Sequence, residues 1–397
     1  MSLSQNSQLL VSALEAIPLL NGRFEKIKLI NVNSFNNEKR GCFSLVFSAH
    51  DIIEDAPVAL KFYDIHPDLM NDDYRRACFR REHDILQILI NKSRCLQLVS
   101  ALSTFNLIIP FENGSEVTLP CEYFAVEWIN NDIDDYFYRQ ENFDPLDKLQ
   151  LFNELTLAIE ALHRHEVFHR DLKPDNLRQY QDALKRIVVA IDLGTAARFS
   201  SGAIQQRYQH NVGAPAYAAP EAIIGLAGHR KLAPYTDCYA LGCMLYELFN
   251  RDIFYRALLA RNPRCHAIYA CMSMELQGIT NEDEKLKAWK QAIGKFSSGI
   301  EPVHIDAPGN TVPPGITSLL NEVLRLLTHI DYSKRPINLG WVRARIGATI
   351  KILKHEKLYQ KRLASSREMR LKRMEKQQRK INSLHKFVSY RNNYANE

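Results

Sequence analysis

The residues of this chain best equipped for chemistry lie in one short stretch, Phe168-His-Arg-Asp-Leu-Lys-Pro-Asp-Asn176. Asp171, Lys173 and Asn176 bring an acid, a cation and an amide together within six residues, behind a His-Arg pair and around a proline. So polar and Pro-broken a segment suits neither a buried helix nor a strand. It reads as an ordered loop that holds three groups at fixed offsets. Sixteen residues beyond Asn176, an apolar run ends in Ile191-Asp192-Leu193-Gly194, a second carboxylate closed by a glycine. A carboxylate and an amide converging from two loops, with a lysine nearby, suit a Mg²⁺–phosphate site. Mg²⁺ takes one or two protein oxygens and leaves the rest of its shell to phosphates and water.

With these two stretches the chain resembles the eukaryotic-type Ser/Thr protein kinase family, whose catalytic loop reads H-R-D-L-x-x-x-N and is followed by D-F-G. Other pieces fit in order. Val58-Ala-Leu-Lys61 resembles V-A-I-K, Gly213-Ala-Pro-Ala-Tyr-Ala-Ala-Pro-Glu221 resembles G-T-P-x-Y-x-A-P-E, and Asp237 and Arg335 stand where the family has a helix-start Asp and a late Arg. The resemblance implies an α+β, bilobal protein-kinase-like fold with a small antiparallel-sheet N-lobe and a mainly helical C-lobe. It also implies ATP and Mg²⁺ as cofactors and transfer of the γ-phosphoryl group to Ser/Thr hydroxyls of a protein substrate, the chain itself included. Lys173-Pro174 after the Asp is similar to the Ser/Thr-directed subfamily rather than the Tyr-directed one.

Roles carry over residue by residue. Asp171 would accept or orient the hydroxyl proton, and Lys173 would offset phosphoryl charge. Asn176 and Asp192 would hold the metal, and Lys61 the α/β-phosphates. On its own Lys61 reads better as a surface lysine on an edge strand; the surrounding motifs make it the phosphate-binding lysine. Its partner would be Glu82, with Asp84 as runner-up on another helical face. Gly41, Val46 and Ala59 would line the nucleotide, Val126 would sit behind it, and backbone groups near Glu127 to Ile129 would meet the adenine edge. Asp132 or Asp134 would reach the ribose. Arg335 and Glu221 would form a buried pair. Arg170 would anchor an activation-loop phosphate, with Ser200, Ser201 and Tyr208 as acceptors or simply solvated loop residues.

Three positions depart from the family pattern. Of the G-x-G-x-x-G glycines only Gly41 remains, with Lys39 and Ser44 at the other two places. Ala214 replaces a threonine, and Arg178 stands where an apolar adenine floor is expected. Leu193 for Phe is milder. These departures support a rival reading, a pseudokinase scaffold. The presence of Lys61, Glu82, Asp171, Asn176 and Asp192 together argues for the enzyme.

The elements that must carry these groups are legible from period and punctuation. Strands are expected over about 24–32, 42–49 and 58–63 and two more over 104–127, with a helix over 71–91 between them. Asp144-Pro145 opens a helix with Phe152, Leu155, Ile159 and Leu162 on one face. A strand at 186–191 ends at Asp192, and helices follow near 234 and over 316–328. The domain plan is an N-terminal extension at 1–23, an N-lobe at 24–128, a C-lobe at 129–350 and a tail at 351–397.

The chain has 397 residues, 46% of them apolar, enough for a sizeable core. No run is long enough to span a membrane, and the N-terminus has no signal-peptide pattern. Eight scattered cysteines without a CxxC read as reduced thiols of a cytoplasmic protein rather than metal ligands. Because the family also occurs in bacteria and among secreted bacterial effectors, delivery into a host cytosol is a second possibility. Residues 351–397 hold 14 Lys and Arg against four Glu, a balance of +10 within a total of +6, so the body is mildly acidic. With Met374, Ile381 and Val388 at heptad spacing beside Leu371 and Leu384, this tail suits a helix that packs or self-associates. A solvated helix and a polyanion-binding helix are the other readings.

Overall fold

The computed structural model describes residues 3–32, 39, 41, 44–68, 70–110, 114–182, 185–198, 213–226, 229, 231–306, 312 and 314–394. Cys42, Phe43, Ser200, Ser201 and Tyr208 lie outside the described residues. The chain divides into two units, Met1–Ile346 and Gly347–Glu397.

The first unit begins with α1 (Gln5–Ala16), whose N-cap Ser4 accepts the Ser7 amide. Strands β1 (Phe24–Leu29), β2 (Ser44–Asp51), β3 (Ala56–Tyr63), β4 (Leu98–Pro110) and β5 (Glu116–Glu127) form an antiparallel sheet in the order β1-β2-β3-β5-β4. Apolar side chains drive this arrangement. Phe47, Leu60, Phe62 and Tyr123 meet Leu10 and Leu14 of α1 in one core, and Phe62 stacks on Tyr123 at 4.6 Å. Each such side chain contributes about 1.5–3 kcal/mol on burial. Helix α2 (Asp73–Ile88) lies between β3 and β4 in sequence. It starts later than the apolar period implies because Asp72 turns its carboxylate onto the Tyr74 amide, 2.9 Å away, and caps the helix there.

Beyond β5 come β6 (Asn131–Asp132), α3 (Asp135–Tyr138) and α4 (Pro145–His163). Helix α4 is capped by Asp144 with Pro145 in its first turn, and its Phe152, Leu155, Ile159 and Leu162 stripe is fully buried. Short β7 (Val167–Phe168) leads into the polar loop. Hairpin β8 (Leu177–Asp182) and β9 (Lys185–Ala190) carries the loop's far end to Asp192, and β10 (Ala197–Arg198) pairs back onto β7. After α5 (Pro220–Ile223), helix α6 (Ala233–Phe249) is buried at every residue except Tyr235. Helices α7 (Phe254–Arg261), α8 (Cys265–Met274), α9 (Glu282–Phe296) and α10 (Pro314–Leu327) complete the helical part, and α11 (Leu339–Tyr394) starts within this unit. A curled antiparallel sheet followed by a helical half is the α+β, bilobal arrangement expected.

The second unit consists of the remainder of α11. Leu358, Met369, Leu371 and Met374 are exposed on it, and Glu368 and Lys372 pair one turn apart at 2.7 Å. The side chains of Ile381, Leu384 and Val388 lie outside the described ones. Among the described residues no helix is long and apolar enough to cross a membrane.

Candidate active site

Lys61 sits near the end of β3, opposite Val46 on one side and Phe124 on the other. Its side chain points inward, where Glu82 of α2 reaches it with both carboxylate oxygens at 2.7 Å. Asp192 reaches it from the end of the second loop at 3.2 Å. The partner is therefore Glu82; Asp84 is 72% exposed and turns to His83 instead. Burial alone would depress the Lys61 pKa. The two carboxylates override it, so the pKa rises and the ammonium stays charged. Lys61 in turn holds Asp192 below the usual carboxylate range. Glu82 also accepts the Leu193 amide at 3.1 Å. Helix α2, β3 and the Asp192 loop thus meet at a single ion cluster.

The polar loop is organised just as tightly. The Nδ2 of Asn176 donates to the Asp171 carbonyl at 2.8 Å and to Asp171 Oδ2 at 3.2 Å. Lys173 Nζ lies 3.5 Å from the same oxygen. Asp171 Oδ1 accepts the Ala214 amide at 2.7 Å. Where Ala214 stands in place of a threonine, then, the backbone still ties the segment before Glu221 to Asp171. That approach needs Gly213 before it. Its φ is +98°, and a Cβ there would come within 2.7 Å of the Arg170 carbonyl.

The two groups of residues form one site because their backbones are neighbours. The Ile191 amide donates to the Asn176 carbonyl at 2.9 Å. The His169 ring bonds the Ile191 carbonyl at 2.8 Å. Asp192 itself takes a left-handed φ of 61°, which Asp tolerates better than most residues.

Beneath the site lies a supporting layer, of which sequence reading found Asp237 and the Arg335–Glu221 pair. From the first turns of α6, Asp237 accepts the His169 and Arg170 amides, each at 2.8 Å, and binds His163 Nε2 at 2.9 Å. Arg335 donates to both oxygens of Glu221 at 2.6 and 3.0 Å, with neither side chain exposed. Tyr217, in the segment before Glu221, donates to Glu247 at 2.6 Å. Tyr217 is the tyrosine of the Gly213–Glu221 motif, but nothing in the sequence signalled Glu247 as its partner. The Arg170 guanidinium is buried, and among the described residues its Nε and Nη2 have no hydrogen-bond partner. Burial lowers its pKa to about 10.

The remaining predicted residues are placed as follows. Gly41 has a φ of +88°, in the region that favours glycine. Val46, Ala59 and Val126 lie on adjacent strands, with Ala59 opposite Val126. Glu127 accepts the Gln97 amide at 2.9 Å, and Ile129 is half-buried just beyond β5. Asp132 is exposed and pairs in register with Arg178, while Asp134 is half-buried. Arg178 donates to the Asp175 and Leu177 carbonyls at 3.0 and 2.9 Å, so its guanidinium folds back along the loop. Lys39 does not extend toward solvent; it is buried against Asp64.

Among the described residues no three His, Cys, Asp or Glu side chains could enclose a metal by themselves. Asn176 spends only its Nδ2 in the loop, and the Asp192 side chain keeps 44% of its surface open. One amide oxygen and one open carboxylate fit an ion that completes its shell with phosphate, as Mg²⁺ does.

Comparison with known proteins gives relatives of the same kind. Serine/threonine-protein kinase PrkC of Bacillus subtilis is 26% identical over 275 residues, 69% of this chain and 36% of its own length. The carbon catabolite-derepressing protein kinase of Saccharomyces cerevisiae is 30% identical over 129 residues, 32% of this chain and 19% of its own length. The mouse dual specificity protein kinase TTK is 26% identical over 160 residues, 38% of this chain and 18% of its own length. The chain thus spans well under two thirds of each of these relatives. The sequence profile described as "Protein kinase domain" matches residues 40–338, more than half of the chain, and the chain belongs to that family.

Proposed function

We propose that the chain is an active, Mg²⁺-dependent protein kinase that transfers the ATP γ-phosphoryl group to Ser/Thr hydroxyls of a protein substrate. The observation that carries this reading is the coexistence of two intact groups, Lys61 with Glu82 and Asp192 and Asp171 with Lys173 and Asn176, joined through Ile191. A scaffold has no chemical need to keep both. In the reaction the substrate oxygen bonds to the γ-phosphorus. The bond from that phosphorus to the β–γ bridging oxygen breaks, and ADP leaves with the electron pair. Asp171, its carboxylate fixed by Ala214, Asn176 and Lys173, orients the hydroxyl and takes its proton. Lys173 offsets charge on the group in transit. Lys61, kept charged by two carboxylates, holds the α/β-phosphates. Asn176 and Asp192 would hold Mg²⁺, which when bound neutralises phosphate charge.

Serine/threonine choice rests on Lys173-Pro174 and on distant relatives. Among the described residues seven cysteines are free thiols, six of them buried, which fits a reducing compartment such as the cytosol. The exposed apolar residues of the second unit favour self-association of the tail over polyanion binding. Sedimentation of the full chain should detect it; a monomer at every concentration would exclude it.

The test of activity is incubation with γ-labelled ATP and Mg²⁺, comparing wild type with Asp171→Ala, followed by mapping of modified residues by mass spectrometry. Label on Ser or Thr with wild type alone is the expected result. Equal labelling, or none with either protein, would instead make the chain a scaffold.

A further inference from the structure

The matched kinase domain starts at residue 40, so α1 and Lys39 precede it. Yet these residues are joined to the nucleotide lobe by buried polar contacts. Ser7 Oγ, fully buried, donates to Asp64 Oδ1 at 2.7 Å. Asp64 Oδ2 receives the Lys39 ammonium, and the two side chains are 4% and 3% exposed. Behind Ser7, the hydroxyl of the N-cap Ser4 lies at 2.7 Å from Ser7 Oγ. The contacts run Ser4, Ser7, Asp64, Lys39, from the first turn of α1 to a residue that lies between β1 and β2 in sequence.

Two features make this more than packing. Asp64 follows β3 directly, three residues after Lys61. Lys39 stands at the place of the first glycine of the phosphate-covering pattern, where its backbone bridges Val32, three residues beyond β1. A buried ion pair is a poor source of stability compared with an apolar pair of the same size, but it is demanding about position. Here the demand falls on Lys39, in the stretch that matches the phosphate-covering pattern.

We infer that Ser7, Asp64 and Lys39 are positioning residues for nucleotide binding, and that α1 holds Lys39 and the residue after β3 in place through them. Lys39 is spent on Asp64 and is not a phosphate ligand. The lost glycine is compensated by a tether instead of by freedom. The inference rests on the ATP reading above and deepens it.

The test uses the full chain as wild type, Ser7→Ala, Asp64→Asn, Lys39→Met and Lys39→Met/Asp64→Leu. Thermal melting identifies variants that fold. Equilibrium binding of a fluorescent non-hydrolysable ATP analogue with Mg²⁺ gives affinity, and amide hydrogen exchange without nucleotide reports on α1 and the peptide carrying Lys39. Asp64→Asn should weaken binding about tenfold, leave kcat at saturating ATP within about twofold, and speed exchange in α1 and around Lys39 together. The apolar double variant should recover melting temperature without recovering affinity. Variants that melt lower yet bind and exchange as wild type does would overturn the inference. So would affinity lost in Lys39→Met but gained in Asp64→Asn, which would make Lys39 a phosphate ligand. Affinity returning with stability in the double variant would reduce the contacts to packing and overturn it too. A wild type that binds no nucleotide would strike the ATP reading, and the exchange measurement would still decide whether α1 and Lys39 move as one.

Discussion

The pair formed by Tyr217 and Glu247 predicts an unusual dependence of stability on pH. Glu247 lies in α6, 6% exposed, with one oxygen accepting the Tyr217 hydroxyl at 2.6 Å and the other the Phe254 amide at 3.3 Å. Burial pushes its pKa up from the ordinary 4.5 to about 7, against the pull of those two donors. The native state therefore binds a proton that the unfolded chain releases near 4.5. Stability from this group is full below that value and declines as pH rises, until the native carboxyl also ionises near 7. At about 1.4 kcal/mol per pKa unit, the decline amounts to about 3 kcal/mol. The assay is urea unfolding of wild type and Glu247→Gln between pH 4.5 and 8.5. Glutamine cannot ionise, so the stability of wild type relative to the variant should fall by about 3 kcal/mol across that range. A difference that stays constant with pH would refute the reasoning, as would one that moves in wild type's favour.

Two further predictions follow from the same part of the molecule. Glu221→Ala leaves the Arg335 guanidinium buried and without its charge partner, and should cost about 3–5 kcal/mol of stability by chemical unfolding; a loss below 1 kcal/mol would show that water reaches the site. Gly213→Ala places a methyl 2.7 Å from the Arg170 carbonyl at a φ of +98°. It should move the Ala214 amide off Asp171 and lower kcat at least tenfold, about 1.4 kcal/mol of barrier, while the melting temperature shifts only modestly. Unchanged kcat would mean that the Ala214 contact does not matter to the chemistry.

What the sequence made legible were groups whose spacing is local or whose motif is dense. Asp171, Lys173 and Asn176 share one loop, and Asp192 ends an apolar strand, so period and punctuation located them. Glu82 was reachable because a helix places residues four apart on one face, and Glu82 precedes an apolar stripe by one turn. Helix α4 was readable to the residue at its start, since an Asp-Pro pair caps and opens a helix by its own chemistry. What stayed hidden were pairings between single polar side chains far apart in the chain. Ser7 and Asp64 are 57 residues apart, Tyr217 and Glu247 are 30 apart within otherwise apolar surroundings, and nothing in the identity of either partner names the other. Strand ends also moved. β2 reaches Asp51 instead of ending at 49, because β3 pairs with it through Ala56 opposite Asp51 and extends the ladder toward the turn. Arg178, which stands where an apolar adenine floor is expected, turns back to two loop carbonyls, a contact that its place in the chain did not announce.

The bracing of His169 and Arg170 by Asp237 has a consequence for biosynthesis. The loop and its brace are separated by 68 residues. A ribosome adding about 5–20 residues per second delivers Asp237 roughly 3–14 s after His169. Throughout that interval the two loop amides wait for their acceptor, and when α6 brings it, the later α10 that packs on α6 has still to be made. The half-made chain is therefore at its stickiest just as its reactive loop is complete, and a holdase that shelters emerging α6 would also guard the shape of the catalytic centre.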